Sequence, residues 1–123
     1  MTNHLLLVGF GGAIGSICRY ATVLLFSKFT PVNLPFGTFV ANVLGCLLIG
    51  IFYGLGSRWA WFTPAWRLLL ATGFCGGYTT FSAFAYENLV LLQTQQYSSF
   101  FIYTLGSLAV GIGAVALGFW LAK

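Results

Sequence analysis

Long apolar runs separated by short polar segments dominate the chain. The runs cover about residues 5–27, 36–56, 65–93 and 98–122. As a helix rising about 1.5 Å per residue, each is long enough to cross a hydrocarbon core of about 30 Å. A turn at Pro31–Pro35 follows the first run, and the polar segment Gln93–Gln96 follows the third. The pattern predicts an all-α integral membrane protein, with four spans in a single transmembrane domain of residues 1–123 and both termini on one side.

The third run contains a stretch that is unfavourable for a membrane helix, at residues 73–84. Gly73, Gly76 and Gly77 are followed by Thr79 and Thr80, and both residue types lower helix propensity. We therefore predict that the third helix is broken near residues 75–80. A helix broken inside a membrane presents carbonyls at one end and amides at the other, which together suit ions. The hypothesis is that this stretch is the functional centre of a protein that handles an ion.

Charge is scarce and does not define one orientation. Hydrophobic residues make up 59% of the chain and charged residues 5%, against roughly 25% charged in soluble domains. The five cations are spread out, so they form no nucleic-acid patch. Arg58, Arg67 and Lys123 belong to the terminal side, and Arg19 and Lys28 to the other. This balance is a weak signal under the positive-inside rule, so insertion both ways round and an antiparallel homodimer are allowed.

The titratable side chains cannot build a catalytic centre. His4 is the single histidine and Glu87 the single acid, which is too few for a triad or a metal cluster. Cys18, Cys46 and Cys75 lie far apart in apolar runs, and we interpret them as small core residues. The chain is therefore predicted not to be an enzyme.

Four polar side chains within or near the spans need an explanation. Arg19 is either snorkelling to the interface or anchoring an aqueous vestibule that attracts anions. Asn42 is either structural glue between helices or a donor to an anion, and Thr38 lies one turn earlier on its face. Glu87 is an interfacial residue or a partner for a buried donor, and a structural role is favoured.

The polar residues inside the spans are almost all hydrogen-bond donors. Phe81 and Phe84 share a face after the predicted break, where positive ring edges suit an anion, although phenylalanine stripes more often serve packing. Ser82 lies beside them, and Tyr103 and Ser107 are one turn apart in the fourth run. A cation or proton path would be expected to carry acids. The inventory favours an anion path.

Small residues indicate where helices approach one another closely. Glycines of the first, second and fourth runs permit such contacts: Gly11, Gly12, Gly15, Gly45, Gly50, Gly106, Gly111, Gly113 and Gly118. Four helices can hardly both bury a broken helix and wall a pathway. An oligomer is the economical solution, and a two-fold dimer is the commonest form.

Three ordered motifs resemble the Fluc (CrcB) family of fluoride channels. They are the glycine-rich segment Gly11–Tyr20 that contains an arginine, the segment Pro35–Asn42 with Gly45, and Thr80–Phe84 with Glu87. With four spans in the right order, the resemblance covers nearly the whole chain.

The resemblance implies a dual-topology homodimer with two antiparallel fluoride pores, which gives passive electrogenic export and fluoride resistance from a microbial inner membrane. It implies that each pore is lined by Phe81, Phe84 and Asn42, with Tyr103 and Ser107 at the start of a polar track. Thr38 and Ser82 join the predicted pore because of their positions beside these residues. It also implies a central structural sodium ion held by the backbone carbonyls of Gly76 and Thr79, and a vestibule at Arg19. The partners implied are fluoride, sodium, lipid and a second copy of the chain, while a heterodimer with a sister chain is left open.

Departures from the family pattern concern the polar track. Hydroxyl residues are usual where this chain has Ala83 and Ala85, and the track on the fourth helix meets Gly111 and Val115. These changes bear on conductance and on the deeper ion site.

Two other functions compete with an anion channel. A dual-topology exporter of organic cations or metabolites would need a membrane-embedded carboxylate, usually in the first span, and that run has none. A purely structural membrane protein would not need a broken helix.

Overall fold

The computed structural model describes residues 2–28 and 35–123 as an all-helical chain. The α-helices are α1 (Thr2–Ser27), α2 (Phe36–Arg58), α3 (Pro64–Arg67), α4 (Gly76–Tyr78), α5 (Phe81–Gln93) and α6 (Tyr97–Ala122), with a π-helix at Leu68–Cys75. Four stretches are long and apolar enough to span a membrane: Asn3–Ser27, Phe36–Arg58, Pro64–Gln93 and Tyr97–Ala122. The prediction of a four-span, multi-pass membrane protein is confirmed. Of the predicted turn at Pro31–Pro35, only Pro35 lies among the described residues.

The third span consists of two half-helices. The first half-helix, residues 64–78, runs through α3, the π-helix and α4 without interruption, and α5 is the second half-helix. Thr79 and Thr80 between them are extended, with φ/ψ of −88°/159° and −151°/123°. The interruption falls inside the predicted interval. Its cause differs from the prediction, because Gly73, Gly76 and Gly77 all remain helical.

The glycines of this region serve close packing instead of breaking the helix. A Cβ on Gly11 would collide with the carbonyl oxygen of Leu69, and one on Gly15 with that of Phe74. The backbones of α1 and the first half-helix therefore touch, which only glycine allows. The π-helix, which the sequence did not indicate, lies in this contact zone and belongs to a type that is often found at functional sites.

The second close contact joins α2 and α6, which pack along much of their length. A Cβ on Gly50 would strike the carbonyl oxygen of Val115, and one on Gly118 would strike that of Leu47. α2 also packs on the first half-helix and α6 on the second, so the α2–α6 pair connects the two halves of the third span. Gly106 and Gly113 have nothing within 4 Å of a built Cβ, so within one described chain they serve no helix contact.

Large apolar side chains face outward on every span. Leu5, Ile17, Ile102 and Ile112 are exposed, while small residues such as Ala41 are buried. Lipid solvates such side chains as well as a protein core does, so the small residues take the helix contacts. This arrangement is expected of a membrane domain.

Candidate functional site

The interruption begins where the first half-helix ends. The Thr79 N–H donates to the Cys75 carbonyl at 2.9 Å, and the Thr79 hydroxyl donates to the same oxygen at 2.8 Å. Beyond this point the helical hydrogen-bond pattern stops, because Thr79 and Thr80 are extended. The break is thus a sharp two-residue segment.

Asn42 of α2 holds the break in place through both ends of its side-chain amide. Its Oδ1 accepts from the Thr80 N–H at 2.8 Å, and its Nδ2 donates to the Thr80 carbonyl at 3.2 Å. The amide nitrogen carries two hydrogens, and Thr80 uses one of them. Asn42 is therefore structural glue, one of the two roles considered from the sequence, and it retains a donor for the second role.

Thr80 itself starts the second half-helix. Its Oγ1 accepts the Ala83 N–H at 3.1 Å, which is the usual N-cap bond of a threonine. The Ser82 hydroxyl lies 3.3 Å from the same oxygen. The extended conformation is therefore stabilised by contacts on both sides of the break.

These contacts divert the N–H groups that a continuous helix would give to two carbonyls. The Gly76 carbonyl would accept from Thr80, whose N–H instead reaches Asn42. The Thr79 carbonyl would accept from Ala83, whose N–H instead reaches the Thr80 hydroxyl. Nothing lies within 4 Å of a Cβ built on Gly76. Two backbone oxygens are thus released from helical bonding in residues that line one cavity, and oxygens of this kind suit a hard cation.

Arg19 of α1 reaches the end of the first half-helix. Its Nε donates to the Gly77 carbonyl at 3.3 Å, and its side chain is half-buried. A cation at a helix C-terminus interacts favourably with the helix dipole. The structure therefore gives Arg19 a helix-capping contact at the break, a role that differs from the two considered from the sequence.

The two phenylalanines follow the break on the second half-helix. The rings of Phe81 and Phe84 have centroids 6.0 Å apart at an interplanar angle of 43°. Phe84 also lies 5.0 Å from the Tyr103 ring of α6, whereas the Phe81 side chain is 79% exposed. Phe84 is therefore tied to the body of the chain, and Phe81 projects beyond it.

Most of the groups at the break line one cavity of about 360 Å³. It is lined by Asn42, Gly45, Cys46, Ile49, Cys75, Gly76, Thr79, Thr80, Phe81, Phe84, Ser107 and Leu108. The Ser107 Oγ is buried and has no hydrogen-bond partner within the described part of the chain. Amide, hydroxyl, backbone carbonyl and ring edges thus meet in one place, and no lining residue is an acid.

Comparison with known proteins identifies the family of the chain. Residues 6–119 match the family model described as CrcB-like protein, Camphor Resistance (CrcB). The chain belongs to the CrcB-like family.

Relatives of this CrcB-like chain cover nearly its whole length. The "Fluoride-specific ion channel FluC" of Leptospira interrogans serovar copenhageni is 47% identical over 99% of the chain and 96% of the relative. Proteins with the same printed name from Phocaeicola vulgatus and Campylobacter jejuni are 46% and 40% identical. Their alignments cover 98% and 100% of this chain, and 99% and 100% of the respective relatives.

Three predicted pore residues of the CrcB-like chain lie outside the cavity lining. The Thr38 hydroxyl donates to Glu87 Oε2 at 2.7 Å, and the Tyr103 hydroxyl donates to Oε1 at 2.9 Å. Glu87 is thus a partner for buried donors, as the structural interpretation expected, and joins α2, α5 and α6. Ser82 is exposed and contacts Thr80.

Two polar contacts of the CrcB-like chain were not anticipated. Asn88, 8% exposed, accepts from the Thr104 hydroxyl at 3.1 Å and links α5 to α6. The hydroxyls of Thr22 and Tyr78 lie 2.8 Å apart and link α1 to the end of the first half-helix. The sequence does show these polar residues inside apolar runs. Which of them form hydrogen-bonded pairs becomes clear only from the arrangement of the helices.

Proposed function

We propose that this protein is a fluoride-selective channel that gives passive, electrogenic export of cytoplasmic fluoride from the inner membrane. The proposal draws its ion from the relatives, which are named as fluoride-specific ion channels. Those names also agree with the expectation that the chain is not an enzyme.

The observation that carries the proposal is the cavity beside the break. Its polar lining consists of amide, hydroxyl and backbone groups together with two phenyl rings, and it contains no carboxylate. The two oxygens of Glu87, the single acid of the chain, accept from Thr38 and Tyr103 instead. A path for cations would be expected to expose acids. The donor set is suited to an anion.

Fluoride holds its water strongly, so a pore must replace that hydration without trapping the ion. We assign this task to the ring edges of Phe81 and Phe84, to the Asn42 N–H that Thr80 does not use, and to the unpartnered Ser107 hydroxyl. Of the other hydroxyls in the predicted pore, that of Ser82 lies beside Thr80 and is our candidate for a further donor, whereas those of Thr38 and Tyr103 donate to Glu87. The positive charge of Arg19, close to the break, favours entry of an anion.

A second copy of the chain completes the site in this proposal. Phe81 is 79% exposed, and the cavity beside it contains polar backbone groups that are costly to leave facing lipid. An antiparallel homodimer covers them, provides two pores, and agrees with the weak orientation signal of the cations. A sister chain could take the place of the second copy.

A structural sodium ion fits the carbonyls that the break releases. The residues that would hold it are Gly76 and Thr79, whose helical N–H partners are diverted to Asn42 and Thr80. When bound, the ion supplies positive charge that compensates these oxygens. Asn42 and Thr80 keep the carbonyls available by retaining the diverted N–H groups.

Fluoride release from proteoliposomes tests the function. Vesicles loaded with potassium fluoride and containing the purified protein are expected to release fluoride when valinomycin relieves the charge, and a matched chloride load should stay inside. Phe81→Ile and Asn42→Ala should abolish release. Phe101→Ile is the matched control, because Phe101 is 57% exposed and does not line the cavity.

Two results would contradict this proposal. Equal release of chloride would refute fluoride selectivity. Full release by Phe81→Ile and Asn42→Ala would refute the assigned pathway, even if fluoride flux were present.

Exchange of sodium for a bulky organic cation during purification tests the central ion. We expect the dimer, measured by light scattering on a sizing column, to dissociate in part and to recover when sodium returns. A dimer that is indifferent to the exchange would argue against the ion.

A further inference from the structure

Two cysteines line the cavity and take no part in the proposed fluoride pathway. Cys46 lies on α2 and is half-buried, and Cys75 ends the π-helix and is 1% exposed. Cys18, the third cysteine, lies on α1 and is not among the lining residues. The thiols that share the cavity are therefore a defined pair.

The helix register places the two cysteines on one side of a shared contact. α2 and the first half-helix form an antiparallel hairpin, and Asn42 contacts Thr80 across it. Cys46 lies one turn beyond Asn42, and Cys75 lies five residues before Thr80, so both lie on the same side of this contact.

The surroundings of the pair suit a soft metal ion. Ile49 and Leu108 provide apolar walls, and Gly111 leaves space beside the Cys46 sulfur, which lies 3.5 Å from a Cβ built at that glycine. No group of three or more His, Cys, Asp or Glu side chains occurs within residues 2–28 and 35–123, so a site with a larger set of such ligands is not available here. Sulfur ligands favour soft ions such as Cu⁺ over hard ones.

We propose that Cys46 and Cys75 together bind one soft monovalent metal ion, of the class of Ag⁺ and Cu⁺, inside the cavity. One thiol releases its proton to water and binds as a thiolate, and the other binds through its sulfur lone pair while it stays protonated. Two sulfur–metal bonds form, one S–H bond breaks, and no electron is transferred. The resulting complex is neutral, which suits an apolar site where a net charge would be costly.

Silver binding to the full-length chain in detergent tests the site directly. Titration calorimetry with silver nitrate, in chloride-free buffers of different ionisation enthalpy, should show one tight ion per chain and one proton released. Removal of a direct ligand should cost at least as much as removal of an outer-sphere partner, about 10–100-fold in affinity. Cys46→Ser and Cys75→Ser are therefore expected to lose the tight site, while Cys18→Ser keeps it.

Several results would overturn the paired site. They are unchanged affinity in Cys46→Ser or Cys75→Ser, loss of tight binding in Cys18→Ser, or independent binding of one ion by each thiol. Cys46→Ala provides a second variant at the half-buried position if Cys75→Ser does not elute as folded protein.

Bound silver should also block fluoride release, an expectation that rests on the proposed function. Saturating silver should abolish release from wild-type proteoliposomes, and Cys46→Ser should be insensitive. Release that persists with silver bound would refute the block. Absence of release from untreated wild-type vesicles would instead refute the channel and leave the calorimetric result intact.

Discussion

Replacement of Asn42 by alanine should weaken the break more than its small change in volume implies. The variant loses two hydrogen bonds to one residue, at 2.8 and 3.2 Å. Interhelical hydrogen bonds in membranes contribute about 0.6 kcal/mol on average and about 1.7 kcal/mol at most. Two such bonds give an expected loss of about 1–3 kcal/mol in the free energy of unfolding.

The same variant should change the local conformation. Without the Asn42 acceptor, the Thr80 N–H is available again to the Gly76 carbonyl, its partner in a continuous helix. We expect the first half-helix to extend across the interruption in Asn42→Ala. The released carbonyl and the cavity would then be lost together, and fluoride release with them.

Unfolding in mixed micelles, followed by circular dichroism, measures the stability loss, and proteoliposome release measures the function. Thr104→Val is the matched control, because it removes one hydrogen bond, 3.1 Å to Asn88, at a residue that does not line the cavity. It should lose about 0.6–1.7 kcal/mol and keep fluoride release. Wild-type stability and wild-type release in Asn42→Ala would refute the clamp, by which we mean the two hydrogen bonds from Asn42 to Thr80.

Three further substitutions test the packing around this clamp. Gly15→Ala should destabilise the fold by about 1–3 kcal/mol, because the added methyl group overpacks against the Phe74 carbonyl. The control Gly9→Ala has nothing within 4 Å of a built Cβ and should unfold like wild type. Equal unfolding midpoints for the two variants would contradict the close helix contact. Thr80→Val removes the N-cap of α5 and should lower the free energy of unfolding by about 0.5–2 kcal/mol. Amide hydrogen exchange in the first turn of α5 should become faster. Unchanged exchange would show that the cap does not stabilise this turn. Glu87→Ala leaves two hydroxyl donors without their acceptor and should lower the free energy of unfolding by about 1–3 kcal/mol. Glu87→Gln should lower it by less. A lower unfolding midpoint for Glu87→Gln than for Glu87→Ala would contradict this structural role of Glu87.

The fold could be predicted because its main signal is local. The length of an apolar run sets the length of a span, and four runs became four helices. The interval of the break could be predicted because Thr79 and Thr80 are poor helix formers, and threonine is a preferred N-cap residue. The cavity residues Asn42, Phe81 and Phe84 were also identified from local features. Asn42 is a polar residue inside an apolar run, and Phe81 and Phe84 follow the break directly.

Contacts between distant residues could not be predicted in this way. Gly77 appeared to be a helix breaker, yet it stays helical beside the backbone of α1, where a Cβ would meet Gly12. The bond from Arg19 to Gly77 spans 58 residues of sequence. No residue type marks the π-helix at Leu68–Cys75 in the chain, so it too could not be predicted from the sequence.

The break is therefore a property of three helices. The first half-helix ends at Tyr78, Asn42 of α2 takes the Thr80 N–H that would continue it, and Arg19 of α1 caps this ending by donating to the Gly77 carbonyl. The hydrogen bonds to Thr80 that hold the Asn42 side chain at the cavity also leave the Gly76 carbonyl without its helical partner. The proposed anion pathway and the proposed cation site thus depend on one set of contacts, so a change that closes the helix should abolish both.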